Sequence, residues 1–220
     1  MTGQWVHAPE TLLQAYAMGV FPMAESATAE EIRFYQPEER ALLPLDPPHI
    51  PRRLRRTVRQ RQYALRWNSA FAAVIDGCAA PAAGRPTTWI NAEIRRLYIA
   101  LHKMGFAHSV EVFDQDQLVG GLYGVALGGA FFGESMFSLR PDASKIALVH
   151  LIARLLDGGF QLLDAQFDND HLRQFGLFTL ANERFQDRLQ AALQKQAFLR
   201  LDQSEDAVLA VLEQAIKVTS

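Results

Sequence analysis

HSVEVFDQDQLVGGLYGVALGGAFFGES, residues His108 to Ser135, holds three apolar runs separated by two short breaks. The runs at 108–113, 117–125 and 130–135 are rich in β-branched and aromatic residues. The breaks, Asp114-Gln115-Asp116 and Gly128-Gly129, carry turn chemistry. This pattern predicts a meander of three antiparallel strands. Just beyond it, Asp142 or Ser144 opens an apolar helix to Leu156, and Gly158-Gly159 ends that helix. Residues 161–167 then read as a further strand. A meander, a helix and a returning strand predict an α/β fold built on a mixed sheet.

Upstream, residues 9–18 read as a helix with Leu12, Leu13, Tyr16 and Ala17 at helical spacing. Gly19 stops it, and Phe21-Pro22 forces extended backbone. Residues 32–45 suggest short strands and turns around Pro37 and Pro44, and Pro47, Pro48 and Pro51 punctuate the chain before the first arginines. Two more helices are predicted. One runs to Cys78 with Asn68 or Ser69 as its cap, and one spans 91–104 with Ile94, Leu97, Tyr98 and Leu101 on one face. The tail from Arg184 reads as helix. A soft boundary after Arg61 divides a small N-terminal domain, 1–62, from a larger domain, 63–220.

The 220 residues are 49% hydrophobic and 21% charged, which fits a globular chain and excludes a disordered or collagen-like one. No apolar run reaches the roughly 18–20 residues a membrane span needs. The first residues lack the basic and apolar regions of a secretory signal, so a cytoplasmic location is expected. The single cysteine, Cys78, cannot make an internal disulfide, and its apolar helical setting reads as a buried thiol. Net charge is −2, but Arg52, Arg53, Arg55, Arg56, Arg59 and Arg61 form a cluster with no acid among them. Setting these six aside leaves 16 basic against 24 acidic residues. Arginines concentrated on an otherwise acidic chain suit bidentate phosphate contacts, as in nucleic-acid binding. The alternative is a solvated helix face whose arginines pair with acids elsewhere.

The histidines, at 7, 49, 102, 108, 150 and 171, show no metal-ligand spacing. Neither a phosphate-cradling glycine loop after a strand nor a Gly-X-Ser-X-Gly elbow is present. The polar residues inside apolar strands carry more information. In LLDAQF, residues 162–167, the two-residue period places Asp164 and Gln166 on one face and Leu163, Ala165 and Phe167 on the other. In GESMFS, residues 133–138, Glu134 and two serines interrupt another apolar strand. Burying such groups is costly unless partners or a wet site satisfy them. Alone, the first reads equally as a structural hydrogen-bond pair and the second as a capping or edge feature; together they favour a shared polar site.

The order of these segments closely resembles the leucyl/phenylalanyl-tRNA–protein transferases. Ala15-Tyr16 and Gly19-Val20-Phe21-Pro22 come first, then Thr88-Trp89-Ile90 and AHSVEV at 107–112. LVGGLYGV at 118–125, GESMFS at 133–138, Ala143-Ser144-Lys145 and Asp164-Ala165-Gln166 complete the series, and the resemblance runs from Leu12 to Gly176. It implies an N-acetyltransferase-like larger domain. It also implies transfer of Leu, Phe or Met from aminoacyl-tRNA to proteins beginning with Arg or Lys, marking them for N-end rule degradation. By position it assigns Asp164, Gln166 and Glu134 to catalysis, with Asn169 close by. Trp89 would help seat the 3′-terminal adenosine, and Leu122, Phe131 and Leu151 would wall the pocket for the transferred side chain. Met23 stands where the family often has an adenosine-stacking tryptophan, and Phe34-Tyr35-Gln36-Pro37 stands where many members carry paired tryptophans. The family also suggests a monomer.

The donor ester is already activated, so no metal, cofactor or covalent intermediate is expected. Gln166 would orient the attacking amine through its amide oxygen, Asp164 would fix that amide and help take the proton, and Glu134 would hold the acceptor's terminal amine or basic side chain. Two rival classes remain. An acyl-CoA-dependent N-acyltransferase needs a glycine-containing pyrophosphate loop, whereas residues 139–145 contain no glycine and include Asp142. A non-catalytic aminoacyl-tRNA-binding protein would have no need of the Glu134, Asp164 and Gln166 set.

Overall fold

A computed structural model describes residues 7–82 and 86–217; residues 1–6, part of the stretch read above for a signal, lie outside them. In chain order the elements are α1 (Pro9–Ala17), β1 (Phe21–Met23), β2 (Arg33–Tyr35), β3 (Glu39–Leu43), α2 (Arg52–Arg59) and β4 (Ala64–Trp67). Next come α3 (Phe71–Ala79), α4 (Ala92–Lys103), β5 (Ala107–Asp114), β6 (Gln117–Leu127) and β7 (Ala130–Ser138). The chain closes with α5 (Ala143–Asp157), β8 (Leu162–Gln166), α6 (Asp170–Arg173), β9 (Phe178–Ala181), α7 (Asn182–Leu193) and α8 (Glu205–Lys217).

The expected meander forms. Asp114 pairs with Gln117, and Gln115 takes a left-handed φ of 55° to close the two-residue turn. Gly128 closes the next turn at φ 56°, where a Cβ would fall 2.6 Å from the Leu193 carbonyl oxygen, so the end of α7 demands glycine there. The α5 helix ends as read, with Gly158 at its cap and Gly159 at φ 79°. It carries the chain across to β8, which lies parallel to β7 as such a crossover requires.

The seven-stranded sheet has the order β4-β5-β6-β7-β8-β3-β9, mixed in direction as expected. One face packs against side chains of α1, α3, α4 and α7, the other against α2, α5 and α8, in two separate apolar clusters. A two-stranded sheet of β1 and β2 stands apart. β3 comes from the segment before residue 62, yet it sits inside the main sheet between β8 and β9.

Several local expectations are corrected. Neither Asn68 nor Ser69 caps α3, whose N-cap is Ala70. Asn68 Oδ1 instead accepts from Ser109 N, and Ser69 gives its N–H and hydroxyl to buried Glu111. The tail from Arg184 is helical as read, but in two pieces, since a non-helical stretch separates α7 from α8. Phe167 does not join Leu163 on the core face. Gln166 turns left-handed at φ 60°, which breaks the strand's alternation and leaves Phe167 exposed, edge-on to Phe21.

Candidate active site

The parallel ladder between β7 and β8 stops at Phe132 and Asp164. Beyond it, residues 133–138 of β7 and 165–166 of β8 border a cavity of about 1030 Å³. The strands therefore deliver Glu134 and Gln166 to one space, as the polar interruptions in their sequences suggested. Leu122, Leu148, Leu151 and Leu163 supply apolar wall, while Trp89, Asn169, Arg140 and Lys145 also line the cavity.

Asp164 is fully buried and paired with Arg40, which is equally buried. Arg40 Nε lies 2.9 and 3.1 Å from the two carboxylate oxygens, and Arg40 Nη2 lies 2.6 Å from Oδ2. The guanidinium also donates to the Gly19 carbonyl at 2.8 Å and lies 4.6 Å from the ring centres of Phe21 and Phe185. Gln166 N donates to Asp164 Oδ1 at 2.9 Å. That bond holds the left-handed turn at Gln166, a conformation that costs a non-glycine residue about 1–3 kcal/mol. Three N–H groups thus converge on the Asp164 carboxylate, with the Arg40 Nε hydrogen shared between its two oxygens. Asp164 positions Gln166 through its backbone.

Glu134 also lines the cavity, beside Gln166. Tyr16 Oη donates to its Oε1 at 2.6 Å and Tyr98 Oη to its Oε2 at 2.8 Å. Gln166 Nε2 donates to Oε1 at 3.1 Å. Burial pushes the Glu134 carboxyl up to about 7; the Tyr16 and Tyr98 hydrogen bonds oppose this, the Asp164 charge adds to it, and Arg40 opposes it. Tyr16, Tyr98 and Tyr123 are all raised well above the ordinary tyrosine value, first by burial and then by the Glu134 charge, so they stay protonated. The Tyr123 hydroxyl is buried beside them with no hydrogen-bond partner among the described residues.

Of the remaining sequence-predicted residues, Trp89, Leu122, Leu151 and Asn169 line the cavity. Asn169 also caps α6, accepting from His171 N at 2.9 Å. Phe131 is buried in the same apolar cluster as Leu122 and Leu151 but does not line the cavity. Met23, on the small sheet opposite Arg33, does not reach it either. Sequence reasoning missed Arg40, Tyr16 and Tyr98 as site residues. The signal for the tyrosines was available: a tyrosine on an apolar helix face needs a partner for its hydroxyl.

The arginine cluster lies on α2 and just after it. Leu54 and Val58 face inward, while Arg52, Arg53, Arg56, Arg59 and Arg61 are exposed and Arg55 is half-buried. Three of the six pair with acids. Arg53 Nη2 reaches Asp142 at 2.9 Å, Arg59 reaches Glu213 on α8 at 2.8 Å, and Arg61 pairs with Asp206. Arg52 and Arg56 make no ion pair among the described residues. Asp142 itself lines the cavity and also takes Lys145 at 3.3 Å, so α2 reaches the cavity mouth through Arg53. No described helix is long and apolar enough to cross a membrane.

Comparison with known proteins adds three findings. Residues 42–190 match the profile described as leucyl/phenylalanyl-tRNA protein transferase, and residues 8–38 match that described as its N-terminal domain. Curated relatives carrying that name include one from Hyphomonas neptunium, 58% identical over 84% of this chain and 72% of its own. Another, from Paramagnetospirillum magneticum, is 53% identical over 86% of this chain and 90% of its own. Among solved structures, L-PGS from Bacillus licheniformis aligns at 14% identity and a TM-score of 0.41, over 94% of this chain and 70% of that one.

Proposed function

We infer the working of the site from one premise: the chain belongs to the leucyl/phenylalanyl-tRNA–protein transferase family. It is an enzyme that moves an aminoacyl group from aminoacyl-tRNA to a protein. The donors we assign are Leu, Phe and Met, the acceptors are proteins with N-terminal Arg or Lys, and the tagged product enters N-end rule degradation. We place this in the cytoplasm, carried out by a monomer. The leucine wall at 122, 148, 151 and 163 supports an apolar donor side chain. Trp89 is the ring available to an adenosine on the same cavity. Arg52 and Arg56 are the exposed cations that suit the acceptor-stem phosphates, which offer affinity without sequence information.

The observation that carries the mechanism is the Gln166–Glu134 contact. Gln166 Nε2 is committed to Glu134, so its amide oxygen is left to accept an N–H from the acceptor amine. An α-amine titrates near 8, and Glu134 titrates about one unit below. Glu134 is therefore matched to accept a proton from that amine at neutral pH. The amine nitrogen attacks the ester carbonyl, its proton passes to Glu134, and Glu134 returns it to the 3′ oxygen as the C–O bond breaks. Asp164 and Arg40 act at one remove by fixing the turn that aims Gln166.

The test uses radiolabelled Phe-tRNA and a protein exposing N-terminal Arg. The wild type should move label to the protein. Gln166→Ala and Glu134→Gln should each slow transfer by about 100-fold or more. Near-normal transfer by both variants would sink the assignment, and label held without transfer by the wild type would indicate binding alone.

A further inference from the structure

Three oxygen-bearing side chains meet where α1, α4 and β7 converge. Tyr16 Oη lies 2.6 Å from Glu134 Oε1, Tyr98 Oη lies 2.8 Å from Oε2, and the two hydroxyls lie within hydrogen-bond reach of each other. Each of these three oxygen–oxygen contacts needs one hydrogen. Two phenols supply two. With Glu134 ionised both hydrogens go to the carboxylate, and the Tyr16–Tyr98 contact sets lone pair against lone pair. With Glu134 protonated there are three. Oε2–H donates to Tyr98, Tyr98 donates to Tyr16, and Tyr16 donates to Oε1, so the triangle closes. The bond from Gln166 Nε2 to Oε1 survives in both states, because a carboxyl oxygen accepts twice.

We propose that Tyr16, Tyr98 and Glu134 form a proton-holding ring, in which the two tyrosines are positioning residues that make the protonated Glu134 the fully hydrogen-bonded state. The proposal rests on the reading that Glu134 exchanges a proton with the acceptor amine. As the amine N–H bond breaks, the Glu134 O–H bond forms and Tyr98 turns its hydrogen from Oε2 to Tyr16 Oη, while Tyr16 goes on donating to Oε1. When the acyl carbon–O3′ bond breaks, its electron pair stays on O3′, the Glu134 proton moves there, and the Tyr98 hydrogen turns back to Oε2. Neither tyrosine ionises at any point, in keeping with their raised titration.

The neighbours of Glu134 are accounted for on every side. Tyr16 comes from α1, Tyr98 from α4, Tyr123 from β6, Gln166 and Asp164 from β8, and Arg40 from β3. Asp164 and Arg40 are closed on each other, and the Tyr123 hydroxyl makes no hydrogen bond among the described residues. The proton count therefore belongs to the triangle alone.

Counting hydrogen bonds gives a distinctive expectation for Tyr16→Phe and Tyr98→Phe. If the hydroxyls served only as donors to a carboxylate, deleting either would remove one charge-assisted bond from the ionised form. The Glu134 titration would then rise by more than about one pH unit. In the ring, the protonated form loses two neutral bonds as the ionised form loses one charged bond. The losses offset, and the midpoint should stay within about half a unit of the wild type.

The measurement is infrared titration of the substrate-free protein from about pH 5 to about pH 9, following the protonated-carboxyl C=O band that Glu134→Gln lacks. The expected result is a held midpoint together with a C=O band moved to higher frequency in each variant, because the carboxyl has lost one hydrogen-bonded partner. A midpoint that rises by a unit or more overturns the ring. So does an unmoved midpoint with an unmoved band, which would mean that the hydroxyls do not engage Glu134. The titration needs no turnover, so it stands apart from the proposed mechanism. That mechanism fails separately if Glu134→Gln transfers with wild-type pH dependence.

Discussion

Replacing Arg40 by methionine tests how the site is built. The substitution keeps an unbranched chain between the Phe21 and Phe185 rings but removes every donor to Asp164 except Gln166 N. Arg40 and Asp164 are both inaccessible to solvent, so the surviving carboxylate is left as an uncompensated buried charge. Breaking a buried pair from one side costs about 3–5 kcal/mol. The Gly19 carbonyl loses its donor as well, which puts Arg40→Met toward the upper end of that range. Asp164→Asn should cost a similar amount by stranding the guanidinium. The double variant carries neither charge and keeps the side-chain oxygen that accepts from Gln166 N, so its cost should fall to about 1–2 kcal/mol. Urea unfolding followed by far-UV circular dichroism measures all three. With a slope of about 2–3 kcal/mol per molar, each single variant should lose roughly 1.5–2 M in midpoint. A single-variant cost below about 1 kcal/mol, or a double-variant cost equal to the sum of the singles, refutes the reasoning.

Two further outcomes concern charge. Glu134 titrates at about 7 in the folded protein against an ordinary 4.5, so the native state holds that proton more tightly than the unfolded chain does. Its contribution to stability is fully present below about 4.5 and is lost as pH rises through 7, by at most about 3.5 kcal/mol. Thermal melts should therefore show Glu134→Gln gaining on the wild type across that window, and a pH-independent difference contradicts the raised titration. On α2, Arg52→Gln with Arg56→Gln should weaken binding of deacylated tRNA and flatten its log–log salt dependence by up to about 2 units. Arg59→Gln with Arg61→Gln should do less, because Glu213 and Asp206 already occupy those guanidiniums. Fluorescence anisotropy across a salt series separates the pairs, and equal effects would mean that the α8 acids do not compete.

The parts of the fold legible in the sequence were those whose partners lie nearby. The β5–β6–β7 meander is closed by two short turns, and α5 is stopped by its own glycines, so period and punctuation suffice. β3 gave no such signal. It is five residues long, it is flanked by prolines, and the strands on either side of it come from more than 100 residues downstream. Asn68 and Ser69 read as caps because local capping is the commonest use of those residues, yet a buried carboxylate on β5 competes for Ser69 and prevails.

The site divides along the same line. Glu134, Asp164 and Gln166 were visible because polar groups in apolar strands carry a debt of desolvation that something must meet. Asp164 required a cation, but the sequence could not say which. Arg40 lies 124 residues away, and only the antiparallel register of β3 on β8, with Leu42 opposite Asp164, brings it there. Tyr16 and Tyr98 were hidden for a different reason. At helical spacing a tyrosine ring packs as leucine does, so the pattern assigns its body to the core and is silent about its hydroxyl. Two helices 82 residues apart present those hydroxyls to one carboxylate on β7. The polar residues of the cavity strands thus announce themselves by being out of place there, whereas the tyrosines that hydrogen-bond Glu134 look at home in their helices.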